Sequence, residues 1–252
     1  MVWILDIDGV VWLADDVIDG VPEAVERLRA AGHGVLFLTN NSSRRIDYLV
    51  DKFEGMGIPV EPEEIVTSAQ AAASMLEPGS TALVCAADGV REALAARGVE
   101  AVDDGPADAV VVGFHTDFDY GRLNAAYQAI RGGARLIGTN ADTTYPTPDG
   151  PIPGGGALLA SVAAAAGVEP EVAGKPYQPM ADAVRERIGG DVDGAVLVGD
   201  RPDTDGLMAK LLEIPFALVF TGVTSEDDSP FDPAPEMTAP DLATLVDQEL
   251  ED

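Results

Sequence analysis

Residues 2–39 read VWILDIDGVVWLADDVIDGVPEAVERLRAAGHGVLFLT and carry two periodicities in succession. An apolar run at 2–5 (VWIL) ends at Asp6, and a second at 34–38 (GVLFL) ends at Thr39. Between them, 21–32 (VPEAVERLRAAG) sets its apolar residues at helical spacing, with Pro22 near the start and Gly32 past the end. Strand, helix, strand in this order is the building block of a parallel sheet.

The same alternation continues along the chain after that block. RRIDYLVDKFEGMG (44–57) reads as a helix, 64–67 as a short strand, and a further helix runs to about Glu77. From about residue 80 the pattern restarts with the strand TALVCAA, the helix DGVREALAARG, the strand ADAVVVGF, the helix FDYGRLNAAYQAIRGG and the strand ARLIGTN. Thr, Pro and Gly dominate from Asp142 to Gly156, which predicts a loop or short hairpin. A helix (GALLASVAAAAG), the segment EVAGKP at 171–176, a helix, the strand GAVLVGD, a helix and the strand FALVFTG follow. The tail SEDDSPFDPAPE is acidic and Pro-rich, and APDLATLVDQEL closes the chain as a helix packed on the surface. This is α/β architecture, and the alternation alone does not separate one sheet from two.

Composition narrows the function classes. The 252 residues are enough for one large domain or two modest ones with a real core. Asp and Glu number 44 against 15 Lys and Arg, a formal net charge of −29, which repels nucleic acid and anionic membrane. Ordinary apolar content and strong periodicity argue for a folded acidic protein over a disordered one, with a surface adapted to high salt. The single cysteine, Cys85, sits in the apolar run ALVCAA and excludes an internal disulfide. No apolar run of membrane-spanning length and no signal-peptide pattern stands out, so the expected location is the cytoplasm.

In open α/β sheets ligands lie beyond the carboxyl ends of the strands, so polar residues after apolar runs come first. Asp6 and Asp8 are two apart in DIDG, which aims both carboxylates to one side of an extended backbone, while Gly9 allows a sharp turn. One acid can then attack while the other moves protons, although solvated acids at a strand end would fit the bare pair as well. Asp200, Asp203 and Asp205 follow another apolar strand in VGDRPDTD, and such oxygen ligands suit Mg²⁺; they equally suit a helix cap. Thr39 and Asn40 offer a hydroxyl, an amide and backbone N–H groups to a phosphoryl group. Lys175 is one of only three lysines and is held between Gly174 and Pro176, where a point charge can neutralise a carboxylate and a phosphate oxygen. His115 and His33 read as structural residues.

Taken in order, DIDGVV, TNNSS, GKP and GDRPDTD resemble the four motifs of the haloacid dehalogenase superfamily in its phosphatase branch. IVTSA, IGTNADTTYPTPDGPIPGGGA and FTGVT further resemble the NagD-type, 4-nitrophenylphosphatase-like subfamily, IIA. The resemblance implies a Rossmann-like, doubly wound parallel-sheet core at 1–77 plus 172–252, interrupted by a larger α/β cap at 78–171. It implies Asp6 as the nucleophile that forms an aspartyl-phosphate and Asp8 as general acid and base. Thr39, Asn40 and Lys175 would bind the phosphoryl group. Mg²⁺ would be held by the Asp6 carboxylate, the Asp8 carbonyl and Asp200, with Asp205 supporting through water. Dehalogenases of the superfamily lack the second acid, so the presence of Asp8 disfavours dehalogenation.

The implied partner is a small phosphorylated metabolite: a sugar phosphate, glycerol phosphate, phosphoglycolate, a nucleotide or an aryl phosphate. Substrate choice falls to the cap, with Asp142, Thr144 and Tyr145 in the 140–156 segment as the expected substrate-facing residues, and the cap is also where copies of the chain would pair. Two other readings compete. A degenerate phosphatase fold that only binds a phospho-metabolite would have no need of the nucleophile. A dinucleotide binder would need a Gly-rich turn after the first strand, where DIDGVVW stands instead.

Overall fold

A computed structural model describes residues 1–145, 147 and 150–251, and the chain divides into two compact units. The first gathers 1–39, 47–66 and the chain from Val184 onward; the second gathers Asn40–Ile46 and Thr67–Ala183. In chain order the elements begin with β1 (Val2–Asp6), β2 (Trp12–Leu13), β3 (Asp16–Val17), α1 (Val21–Ala30), β4 (Gly34–Thr39), α2 (Ile46–Gly55) and β5 (Ile65–Thr67). There follow α3 (Ser68–Ser74), β6 (Thr81–Cys85), α4 (Asp88–Arg97), β7 (Glu100–Val102), β8 (Ala109–Val112), α5 (Tyr120–Arg131) and β9 (Arg135–Gly138). Next are β10 (Thr144–Tyr145), β11 (Ile152–Pro153), α6 (Gly155–Ala166), β12 (Glu171–Val172) and α7 (Gln178–Ile188). The chain ends with β13 (Ala195–Gly199), α8 (Leu207–Leu212), β14 (Phe216–Val219), β15 (Met237–Ala239) and α9 (Leu242–Glu251).

In the first unit six strands run β15-β14-β13-β1-β4-β5. β1 pairs in parallel with β4 on one side and β13 on the other, Leu5 facing both Phe37 and Val198. The chain therefore winds outward from β1 in one direction, then returns to its other flank, which makes the carboxyl end of β1 a topological switch point. Trp3, Ile4 and Leu5 are fully buried because both faces of a central parallel strand are covered. α1 packs on α9, through the buried stripe Val21, Ala24, Val25 and Leu28 of α1.

The second unit has its own parallel sheet, ordered β12-β9-β8-β6-β7, so the question of one sheet or two is decided for two. Its core includes Leu83, Val110, Val112, Leu136, Leu159 and Val162. Gly138 lies so close to α6 that a Cβ there would stand 2.2 Å from Leu159 Cδ2. The 142–156 segment contains the short hairpin, β10 antiparallel to β11, while Pro146, Pro148 and Asp149 of that segment lie outside the described residues.

Several short features, the edge strand β12 among them, were not legible as elements. β7 and β15 are three-residue strands at the sheet edges, too short for a period to register, and β2 and β3 form a hairpin of two-residue strands. The helix expected after the strand GAVLVGD begins as a π-helical turn over Pro202–Gly206 before α8. Grouping by contact also draws borders differently from the expected 77/78 and 171/172. Residues 67–77 go with the second unit because α3 packs along α4, and 172–183 go with it because β12 extends its sheet. Among the described residues no helix is long and apolar enough to cross a membrane.

Candidate active site

Asp6 ends β1, Asp200 directly follows the neighbouring strand β13, and Asp205 lies in the π-helical turn. The sheet order brings these remote positions together: all three are buried, and one carboxylate oxygen of each lies within 4.8 Å of the others. Three carboxylates this close and this dry repel one another strongly unless a cation joins them. An all-oxygen donor set with little room suits a small hard cation, so these residues fit Mg²⁺.

The backbone around the cluster is cut to the carboxylates. A Cβ on Gly222 would stand 1.9 Å from Asp200 Oδ2, and one on Gly9 2.6 Å from the same oxygen. Gly9 also has φ 91°, a conformation that disfavours other residues. A Cβ on Gly199 would stand 2.3 Å from Asp205 Cγ. Backbone N–H groups fix the acids' orientation: Ile7 donates to Asp6 Oδ1 at 2.8 Å, Val223 to Asp200 Oδ2 at 2.6 Å and Arg201 to Asp205 Oδ2 at 3.1 Å. Thr221 Oγ1 donates to the Gly9 carbonyl at 2.5 Å and ties the loop after β14 to the turn after β1. Asp205, expected to support the metal through water, stands in the same cluster as Asp6 and Asp200.

The Asp8 carboxylate is not one of this triad. Its Oδ1 accepts the Trp12 indole N–H at 3.0 Å, and its Oδ2 accepts the Thr39 hydroxyl at a long 3.4 Å. Thr39, at the end of β4, is buried. Sequence reading gave no role to Trp12 of DIDGVVW or to Gly222 of FTGVT, because their contacts depend on the turns after β1 and β14.

In the second unit Asn40 is a hub. Its Oδ1 accepts Lys175 N–H at 2.7 Å, and its Nδ2 donates to the Lys175 carbonyl at 3.2 Å and to Asp142 Oδ2 at 3.0 Å. Its own carbonyl accepts Ser68 Oγ at 2.6 Å and Asn140 Nδ2 at 2.7 Å. A Cβ on Gly174 would stand 2.5 Å from Asn40 Oδ1, so the glycine beside the lysine is required by this approach. The Asn40 side chain holds the buried Lys175 segment and Asp142. Tyr145 stacks on Phe114 with centroids 4.4 Å apart, and its hydroxyl accepts Asn41 Nδ2 at 3.4 Å. Thr144 is exposed. His115 is buried with Nδ1 3.2 Å from the Gly113 carbonyl, in keeping with a structural role.

Comparison with known proteins gives the same picture over nearly the whole chain. A family model described as haloacid dehalogenase-like hydrolase matches residues 3–100, and one described as HAD-hydrolase-like matches 172–245. An acid sugar phosphatase of Staphylococcus saprophyticus is 33% identical over 229 residues, 90% of this chain and 88% of that protein. The p-nitrophenyl phosphatase of Archaeoglobus fulgidus superposes with a TM-score of 0.92 at 29% identity, covering 98% of each chain. A glycerol phosphate phosphatase of Mycobacterium tuberculosis, solved in complex with magnesium, gives 0.89 at 32% identity over 97% of this chain and 75% of that one. The chain belongs to the haloacid dehalogenase-like hydrolases, in their NagD-like, 4-nitrophenylphosphatase branch, and is a phosphatase.

Proposed function

We propose that the protein hydrolyses phosphomonoesters of small metabolites, sugar, glycerol or aryl phosphates among them, through an aspartyl-phosphate on Asp6. The observation that carries this reading is the buried cluster of Asp6, Asp200 and Asp205 at the switch point of the first sheet. An Asp6 oxygen attacks phosphorus, the ester P–O bond breaks, and protonated Asp8 gives its proton to the departing oxygen. Water then attacks the aspartyl-phosphate, Asp8 takes the water proton, and inorganic phosphate leaves with Asp6 restored. Mg²⁺, held by the carboxylates of Asp6 and Asp200 and the Asp8 carbonyl with Asp205 in support, would screen the repulsion between nucleophile and substrate. Lys175, positioned by Asn40, supplies positive charge to the phosphoryl oxygens. The second unit acts as the cap that selects the leaving group, with Asp142, Thr144 and Tyr145 as the residues that meet it.

The test is phosphate release across a panel of sugar, glycerol and aryl phosphates with Mg²⁺ and molar KCl. Wild type should turn over at least one class, and Asp6→Asn none. Asp8→Asn, acid-quenched during turnover of 4-nitrophenyl phosphate, should yield a phosphorylated peptide containing Asp6. Hydrolysis by Asp6→Asn at the wild-type rate, or an inert wild type, refutes the proposal.

A further inference from the structure

Trp12 has no part in the chemistry above, yet its indole reaches the carboxylate of Asp8. The turn that brings it there is compact: Val11 and Trp12 N–H donate to the Ile7 carbonyl at 2.8 and 3.2 Å, and Gly9 N–H donates to the Trp12 carbonyl at 2.8 Å. The indole folds back and donates Nε1–H to Asp8 Oδ1 at 3.0 Å.

The ring itself is buried and wedged from two elements. Phe53 of α2 packs on it with centroids 4.8 Å apart, and Phe37 of β4 backs Phe53 at 4.4 Å. Lys52 Nζ sits 4.5 Å from the ring centroid, and the same ammonium donates to the Ala14 carbonyl at 2.6 Å, in the β2–β3 hairpin turn where Ala14 has φ 53°. A cation over the indole face and a tilted phenyl ring, itself backed by a second, leave the ring little freedom.

An indole nitrogen can donate but never accept. We infer that Trp12 is a positioning residue for Asp8: its N–H holds Oδ1 as a pure acceptor and so assigns Oδ2, on the Thr39 side, as the oxygen that hands a proton to the leaving group. The inference rests on the acid–base reading of Asp8. It predicts that removing the indole N–H harms the reaction in proportion to how much the leaving group needs that proton. A core-filling tryptophan would instead affect all esters alike.

The experiment compares kcat/KM, which reports the steps through leaving-group departure, for glycerol phosphate and for 4-nitrophenyl phosphate at saturating Mg²⁺. An alkoxide leaves poorly without a proton, whereas 4-nitrophenolate leaves as a stable anion. Asp8→Asn should lower the glycerol phosphate value by about 10²-fold or more and the nitrophenyl value far less. Trp12→Phe, which keeps a ring for Phe53 and Lys52, should show the same selectivity at about tenfold, the size of one hydrogen bond to a charged group. Benzothienylalanine at position 12 keeps the bicyclic shape and replaces N–H by sulfur, so it gives the answer even if Trp12→Phe folds poorly. Trp12→Phe added to Asp8→Asn should bring no further selective loss. Equal losses for both esters, or no loss, with the isostere overturn the inference. If Asp8→Asn itself shows no selectivity, the acid–base reading fails first and takes the inference with it.

Discussion

Gly222→Ala adds one methyl group beside Asp200 and tests whether the carboxylate cluster is a metal site. The new Cβ would stand 1.9 Å from Asp200 Oδ2, 2.5 Å from its Cγ and 2.7 Å from its Cβ. Ordinary contact begins at 3.4 Å, so Oδ2 must retreat by about 1.5 Å, the difference between the two. The retreat also strains the 2.6 Å bond from Val223 N–H. Mg²⁺–oxygen bonds sit near 2.1 Å and tolerate about 0.2 Å, so Asp200 cannot clear the methyl and remain a ligand. Weakening a ligand's support costs about 10–100-fold in metal affinity, and displacing the ligand should reach the upper end of that range. The overpacking itself should cost about 1–3 kcal/mol of stability. Mg²⁺ titration by calorimetry, the Mg²⁺ dependence of phosphate release and a thermal melt separate the two effects. Gly55→Ala, a helical glycine with nothing within 4 Å of its added Cβ, is the control that should leave Mg²⁺ affinity and turnover unchanged and raise stability by up to about 1 kcal/mol. Mg²⁺ affinity and turnover within twofold of wild type in Gly222→Ala would refute the assignment of Asp200 to the metal.

The net charge of −29 should make the fold salt-dependent, with the melting temperature rising as KCl goes from 0.1 M to above 1 M and the Debye length shrinks from about 10 to about 3 Å; a flat profile contradicts this. Burial pushes the Cys85 thiol up to about 11, against the opposing fields of Arg122 and Arg91, so iodoacetamide at pH 8 should leave the native protein unlabelled and modify Cys85 on unfolding. Arg135 grips Glu171 with two hydrogen bonds of 2.8 Å across β9 and β12 and holds its carboxyl below the usual range. A depressed carboxylate stabilises above its unfolded value, near 4.3, and loses that contribution as pH falls through the folded value. Glu171→Gln should therefore cost under about 1 kcal/mol at pH 7, since both side chains are half-exposed, and the two denaturation curves should converge in strong acid.

Most of the strand–helix alternation was legible because burial leaves a local period: VWIL, GVLFL and GAVLVG read as buried strands, and each is one. The candidate acids were legible for a related reason, since a charged residue at the end of an apolar run marks the strand's carboxyl end. Short edge strands and the β2–β3 hairpin were not, because two or three residues carry no period.

By itself, then, the sequence determined the α/β class, the polar residues at the strand ends and the family, through its ordered motifs. Only the tertiary structure decided that β1 lies between β13 and β4, which places Asp205 in one cluster with Asp6 and Asp200. Tertiary structure likewise gave Asn40 to Lys175, pressed Gly222 against Asp200 and laid Trp12 on Asp8. The physical reason is that sheet order, loop approach and side-chain packing set these contacts: three of them join segments remote in sequence and the fourth, Trp12 on Asp8, is made by a single tight turn, and neither kind of contact leaves a periodic mark in the chain.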